Sequence, residues 1–127
     1  MPESQKTVIV VEDETDAAEM FAEMMRVSGF RVLKSYSSQP AISMIANEPP
    51  DLVILDVMMP DVSGLEVLKF MRHEPKLAEI PVIVVSAKSM PGDIKTGLEA
   101  GASVYLTKPV GFLDLRQAVE KAMIAKH

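Results

Sequence analysis

DLVILDVMMP, residues 51–60, is the stretch on which the reading of the chain turns. Leu52, Val53, Ile54 and Leu55 are consecutive β-favouring residues, and such an unbroken apolar run reads as a strand buried on both faces. Burial on both faces marks a parallel sheet covered by helices. The run then ends in one carboxylate, Asp56, before turning apolar again at Val57, Met58 and Met59. A charge there is costly unless something compensates it. Asp56 therefore needs a partner.

Outward from this strand, short apolar runs alternate with segments of helical period along the whole chain. The strand candidates are Thr7–Val11, Arg31–Ser35, Leu52–Asp56, Pro81–Val85 and Val104–Thr107. The helix candidates are Asp16–Ser28, Gln39–Glu48, Gly64–Glu74, Gly92–Ala100 and Phe112–Ala125. In the first helix the expected apolar stripe is Ala17, Met20, Phe21, Met24 and Ser28; in the last it is Leu115, Ala118, Val119, Ala122 and Met123. The fourth helix looks weak, because Gly97 lies inside it with Gly92 and Gly101 at its borders. Strand–helix alternation implies right-handed crossovers and a three-layer α/β sandwich of the (βα)5 kind. Runs one, three and four are apolar throughout, whereas runs two and five mix in polar residues, as edge strands can. That ranking fits the flavodoxin-like strand order 2-1-3-4-5.

Bulk properties bound the function. At 127 residues the chain is a single domain, 1–127, with residues 1–6 expected to fray. There is no run long enough to span a membrane and no apolar leader in MPESQK. The absence of cysteine excludes disulfides and thiolate metal sites and is compatible with a cytoplasmic location. A net charge of −5 with scattered Lys and Arg argues against direct nucleic-acid binding.

Ligands of such a sheet bind outside the carboxyl ends of its strands. Strand one delivers Glu12 and Asp13 there, strand three Asp56, strand four Ser86, and strand five Thr107 and Lys108. Taken singly, the acids near residue 12 read as charges and a cap for the first helix, and Ser86 and Lys108-Pro109 read as turns. Jointly they converge on one edge. Clustered carboxylates repel one another, and a hard cation such as Mg²⁺, bound by oxygen ligands, relieves that conflict. One carboxylate can then act as nucleophile toward phosphorus, with Lys108 neutralising phosphoryl oxygens and Ser86 hydrogen-bonding one of them. Asp56, on the central strand between the acid pair and the Ser/Lys pair, is the natural nucleophile.

VIVVEDE, PDLVILDVMMPDVSGLEVL, IPVIVVSAK and EAGASVYLTKP, in that order, resemble the receiver domain of two-component response regulators, of the chemotaxis-regulator type, over essentially the whole chain. The resemblance implies a phosphoprotein of signal transduction rather than an enzyme, one that catalyses only its own Mg²⁺-dependent phosphorylation and autodephosphorylation. It implies Asp56 as phosphoacceptor, fed by a sensor histidine kinase or a phosphotransfer protein in a phosphorelay. Glu12, Asp13, Asp56 and the backbone carbonyl of Met58 would bind Mg²⁺. Ser86 and Tyr105 would form the switch acting on a surface of helix four, strand five and helix five, read by an output domain or protein partner. Lys108–Pro109 would be a cis bond, and Gly64 would close the loop after the acceptor strand.

A haloacid-type phosphohydrolase would want a second acid two residues beyond Asp56, where Met58 stands. A flavin-binding protein would want a phosphate loop where VEDETD is acidic. A degenerate receiver usually lacks one of the acids or the lysine, and this chain has all of them. No output domain is legible, so the chain reads as a free-standing receiver or one cut from a longer regulator or hybrid kinase. Charges on the last helix (Asp114, Arg116, Glu120, Lys121) could support dimerisation on phosphorylation, though such charges usually face solvent.

The family positions two beyond the acceptor and two beyond the hydroxyl flank the phosphoryl group, and here they are Met58 and Lys88. An apolar Met58 gives no hydrogen bond to place an attacking water, so a phosphoryl group on Asp56 is expected to persist. Met58→Asn is expected to lose it several-fold faster, as followed by intact mass; an equal or slower loss removes the idea.

Overall fold

The computed structural model describes residues 5–125. Strands β1 (Thr7–Val11), β2 (Arg31–Ser35), β3 (Leu52–Leu55), β4 (Val82–Ser86) and β5 (Val104–Thr107) alternate with helices α1 (Thr15–Val27), α2 (Ser38–Asn47), α3 (Gly64–His73), α4 (Pro91–Glu99) and α5 (Phe112–Ala125). The strands form one parallel sheet in the order β2-β1-β3-β4-β5. This is the flavodoxin-like (βα)5 sandwich, with the apolar strands β1, β3 and β4 in the centre and the mixed strands β2 and β5 at the edges.

Side chains alternate across the sheet with the strand period. Ile9, Val11, Val53, Leu55, Val82 and Val84 face α2 and α3, meeting Ala41, Ile45, Leu68 and Met71. Val8, Val10, Leu52, Ile54, Ile83 and Val85 face α1 and α5, meeting Phe21, Met25, Leu115 and Val119. The α5 stripe is the one expected, with Met123 only partly buried. The α1 stripe is a correction. The buried residues are Ala18, Phe21, Ala22 and Met25, while Met20 is exposed and Ser28 caps the helix end. Sequence periodicity offers two overlapping sets at i, i+3, i+4 spacing, and only contact with β1 and β2 selects one.

Boundaries moved by a residue where a backbone bond decides them. β4 runs through Ser86, because Ser86 pairs with Thr107 of β5. β3 stops at Leu55, although the Asp56 N–H still donates to the Val11 carbonyl at 3.0 Å. Three helices start one residue earlier than expected; α4 does so because Pro91, with its fixed φ and no N–H to satisfy, suits a first helical turn. Of the segment expected to fray, residues 1–4 lie outside the described residues. Gln5 and Lys6 are tied in: the Gln5 amide donates to the Gly29 carbonyl, and the Lys6 carbonyl accepts from the Arg31 N–H.

Gly97, a poor helix former, is buried within α4 for a reason. A Cβ there would lie 2.7 Å from the Tyr105 ring. The glycine trades helix propensity for close packing of α4 on β5.

At the lower end of α3, Arg72 ties three backbone segments together. Its guanidinium donates to the carbonyls of Ile80 (2.7 Å), Ala78 (3.1 Å) and Gly101 (3.0 Å), joining α3 to the entry of β4 and to the α4–β5 turn. Gly101 there has φ +115°, and a Cβ would strike the Arg72 side chain at 2.7 Å. Burial works against the guanidinium charge and lowers its pKa, with Glu79 opposing the shift. Arg72→Lys keeps the charge but loses the fork, leaving carbonyls unpaired. It is expected to cost roughly 1–3 kcal/mol in a urea melt, without altering the chemistry at the other end of the sheet.

Candidate functional site

The carboxyl ends of β1, β3 and β5 bring three of the predicted side chains into direct contact. Glu12 follows β1; its side chain is 1% exposed, and its Oε2 accepts from the Glu14 N–H at 3.1 Å. Asp56 follows β3 and is 4% exposed, its Oδ1 accepting from the Met58 N–H at 2.9 Å. Lys108 comes across from β5. Its Nζ donates to Glu12 Oε1 at 2.7 Å and to Asp56 Oδ2 at 3.1 Å. The partner that Asp56 required is therefore Lys108, shared with Glu12. The bridge to Glu12 was not foreseen, since residues 12 and 108 have no signal linking them in the sequence.

Electrostatics follow from burial. Glu12 has a pKa raised above its ordinary value, first because burial disfavours its charge and also because Asp56 is near; the Lys108 hydrogen bond works the other way without cancelling the shift. For Lys108 burial again disfavours the charge, but the hydrogen bonds and charges of Glu12 and Asp56 outweigh it, and its pKa is raised. One ammonium thus faces two buried carboxylates, and the notch is short of positive charge.

Asp13 completes the anionic side. It is exposed, and Glu12, Asp13 and Asp56 each offer one carboxylate oxygen such that all lie within 4.8 Å of one another. Three hard oxygen donors, one of them open to solvent and none of them His or Cys, fit a Mg²⁺-type ion that keeps part of its water.

Ser86 ends β4 with its side chain fully buried. Its Oγ accepts from the Lys88 N–H at 3.1 Å, which leaves the hydroxyl proton to donate elsewhere. Lys108 N–H donates to the Ser86 carbonyl at 2.8 Å, so β4 and β5 end in register at the notch. The Lys108–Pro109 bond is cis. Tyr105 lies partly buried over Gly97, and its hydroxyl donates to the Lys88 carbonyl at 2.8 Å. Lys88 is thereby joined to Ser86 through its N–H and to Tyr105 through its C=O. A cavity of about 120 Å³, lined by Val57, Leu65, Lys88, Asp93, Thr96 and Tyr105, lies beside this joint. Met58 contributes its main chain to the site while its side chain is 49% exposed. Gly64 returns the chain against the end of β3: a Cβ would stand 2.2 Å from the Asp56 carbonyl oxygen.

The larger concavity between α1 and α5, about 730 Å³, is lined mainly by Val27, Phe30, Val119 and Met123 and holds none of these groups. On α5, Arg116 and Glu120 pair with each other along the exposed helix face. No helix among the described residues is long and apolar enough to cross a membrane.

A parallel five-stranded α/β sandwich with an acid–lysine notch at its carboxyl edge defines the class as flavodoxin-like and of the chemotaxis-regulator type. The family model of the response regulator receiver domain matches residues 8–120, and the chain belongs to that family. It is similar to the polar-differentiation response regulator DivK of Brucella abortus, at 34% identity over 105 residues that cover 83% of this chain and 85% of that protein. Among solved structures it is similar to one from Chloroflexus aurantiacus assigned as a response regulator, with a TM-score of 0.91 and 29% identity over 95% of this chain and 99% of that one. It is also similar to the signal receiver domain of a signal transduction histidine kinase from Syntrophus aciditrophicus, with a TM-score of 0.86 and 28% identity over 94% and 91% of the two chains. The chain is thus a receiver domain of two-component signal transduction, a signalling domain rather than an enzyme in the usual sense.

The raised pKa of Glu12 makes a stability prediction. In the metal-free chain the folded state binds the Glu12 proton more tightly than the unfolded state, so stability is lost as pH rises from 4.5 through the raised value. Glu12→Gln removes that cost. It is expected to raise the thermal midpoint of the metal-free protein at pH 7 by a few degrees, with the advantage fading as pH falls toward 4.5 and gone below it. Calorimetric scans across that pH range check it.

Proposed function

We propose that this receiver is active as a phosphoacceptor: Asp56 takes a phosphoryl group from the phosphohistidine of a sensor histidine kinase or a phosphotransfer protein. The observation that carries this reading is the buried Asp56 carboxylate, held within hydrogen-bond reach of Lys108 and close to the Glu12 and Asp13 oxygens. An Asp56 carboxylate oxygen forms a bond to phosphorus while the P–N bond breaks and its electron pair returns to the imidazole. Glu12, Asp13, Asp56 and the Met58 carbonyl would hold Mg²⁺, which supplies charge neutralisation for the phosphoryl oxygens.

Lys108 turns from ion pairing with Glu12 and Asp56 to a phosphoryl oxygen, where its charge counts most as negative charge builds up. The rim formed by exposed Asp13 and Met58 leaves the donor a way in. Phosphorylation adds about two negative charges at the end of β3. The Ser86 hydroxyl then has an oxygen to which it can donate. Drawing Ser86 toward the phosphoryl group pulls on the Lys88 N–H, and Lys88 in turn holds the Tyr105 hydroxyl. The signal leaves through that joint to the surface of α4, β5 and α5, as a shift between two packings of the same elements. A protein partner or an output domain reads the surface, and the cytoplasm is where such a phosphodonor would be met.

Incubation with Mg²⁺ and acetyl phosphate, followed by intact mass, tests the reading. The expected result is an adduct of one phosphoryl group on the wild-type chain and none on Asp56→Ala. Labelling of another residue, or no adduct on a folded chain, overturns it.

A further inference from the structure

We propose that Asp61 is a positioning residue for the phosphoryl-transfer site: together with Ser38 it clamps the loop of residues 57–63 onto the start of α2 and so fixes the main chain at Met58. The proposal rests on the phosphoacceptor reading and names a further part of its machinery.

The loop leaves the sheet after Asp56 and returns at Gly64. Its base is closed by its own bonds, because the Val57 carbonyl accepts from the Gly64 N–H at 3.0 Å and from the Ser63 hydroxyl at 3.3 Å. Its tip is held from outside. Asp61 Oδ1 accepts from the Ser38 N–H at 3.1 Å and Oδ2 from the Gln39 N–H at 3.0 Å. In return the Ser38 hydroxyl, fully buried, donates to the Val62 carbonyl at 2.5 Å.

Those N–H groups belong to the first turn of α2, where a helix has donors without intrahelical acceptors. The residue in the ordinary capping place, Ser37, makes no side-chain cap. A carboxylate from 22 and 23 residues away does it instead. The Gln39 and Ser38 N–H groups hold Asp61 down to about 2, so the clamp stays charged at neutral pH.

The rest of the tip has little to hold it. Met58, Pro60 and Asp61 are exposed, and only Met59 and Val62 are partly buried. Val57 roots the base of the loop in the core, but apolar packing gives the tip only Met59 and Val62, and the polar clamp supplies the remainder. Met58 lies three residues before Asp61, and its N–H reaches Asp56 Oδ1 at 2.9 Å. A tip free to swing would carry the Met58 peptide with it, and with that peptide one proposed Mg²⁺ ligand. α2, which contributes no side chain to the notch, becomes part of its scaffold.

Asparagine at 61 would offer one acceptor oxygen and turn an NH₂ donor toward a second N–H, so it makes half a clamp. Two measurements test the proposal: Mg²⁺ affinity by calorimetry and amide hydrogen exchange at Met58 and Gly64. Asp61→Ala is expected to weaken Mg²⁺ binding by about tenfold, as loss of an outer support does at metal sites, and to speed exchange at Met58. Asp61→Asn should fall between Asp61→Ala and the wild type. Ile45→Val, a core change in the same helix, should lower the thermal midpoint yet leave both readouts unchanged. Wild-type affinity and exchange in Asp61→Ala overturn the clamp, as does an equal loss of Mg²⁺ affinity in Ile45→Val. If the wild-type chain takes up no Mg²⁺, the phosphoacceptor reading fails instead, and the exchange rates at Met58 alone decide the clamp.

Discussion

One ammonium shared between two buried carboxylates organises this molecule. Lys108 reaches Glu12 and Asp56 from the far side of the sheet, and the three groups come from β5, β1 and β3. A buried ion pair of this kind is poor evidence of stability, because desolvation offsets much of the attraction. The raised pKa of Glu12 shows the same imbalance, with burial ahead of the charge that opposes it. The site is therefore kept with unmet negative charge, and its clustered carboxylate oxygens fit a hard divalent cation.

Everything around the notch serves to hold main chain close to it. Gly64 lets α3 start against the Asp56 carbonyl, where any side chain would collide. Asp61 and Ser38 tie the intervening loop to α2. On the other side Lys88 joins Ser86 to Tyr105 with its two backbone groups, and Gly97 makes room for the Tyr105 ring. Each of these hydrogen bonds has a backbone N–H or carbonyl as one partner. The exposed side chains Met58 and Lys88 are free of that duty, so their chemistry can differ without disturbing the frame.

Much of this was legible in advance. Apolar runs through both faces of β1, β3 and β4 implied a covered parallel sheet, and the polar content of β2 and β5 placed them at the edges. The acids after β1, Asp56, Ser86 and Lys108 could be assembled because a parallel sheet collects its strand ends on one side. The α1 stripe was misplaced by about one position, since two helical faces offered similar apolar residues. Propensity alone marks Gly97 as a weak point of α4, because the Tyr105 ring that packs on it comes from a different element. Nothing along the chain marks Asp61 as a cap, because its helix lies earlier in the sequence and Ser37 stands in the usual place.

The sequence by itself determined the class of fold, the order of its elements and the residues that end its strands. Each of those depends on local period or on which residue ends a strand, and both are written along the chain. Tertiary structure alone decided which charges share a proton-rich partner, which backbone carbonyl holds Tyr105, and which helix carries the loop beyond Asp56. These depend on distances of about 3 Å between residues tens of positions apart, and no pattern along a one-dimensional chain specifies them.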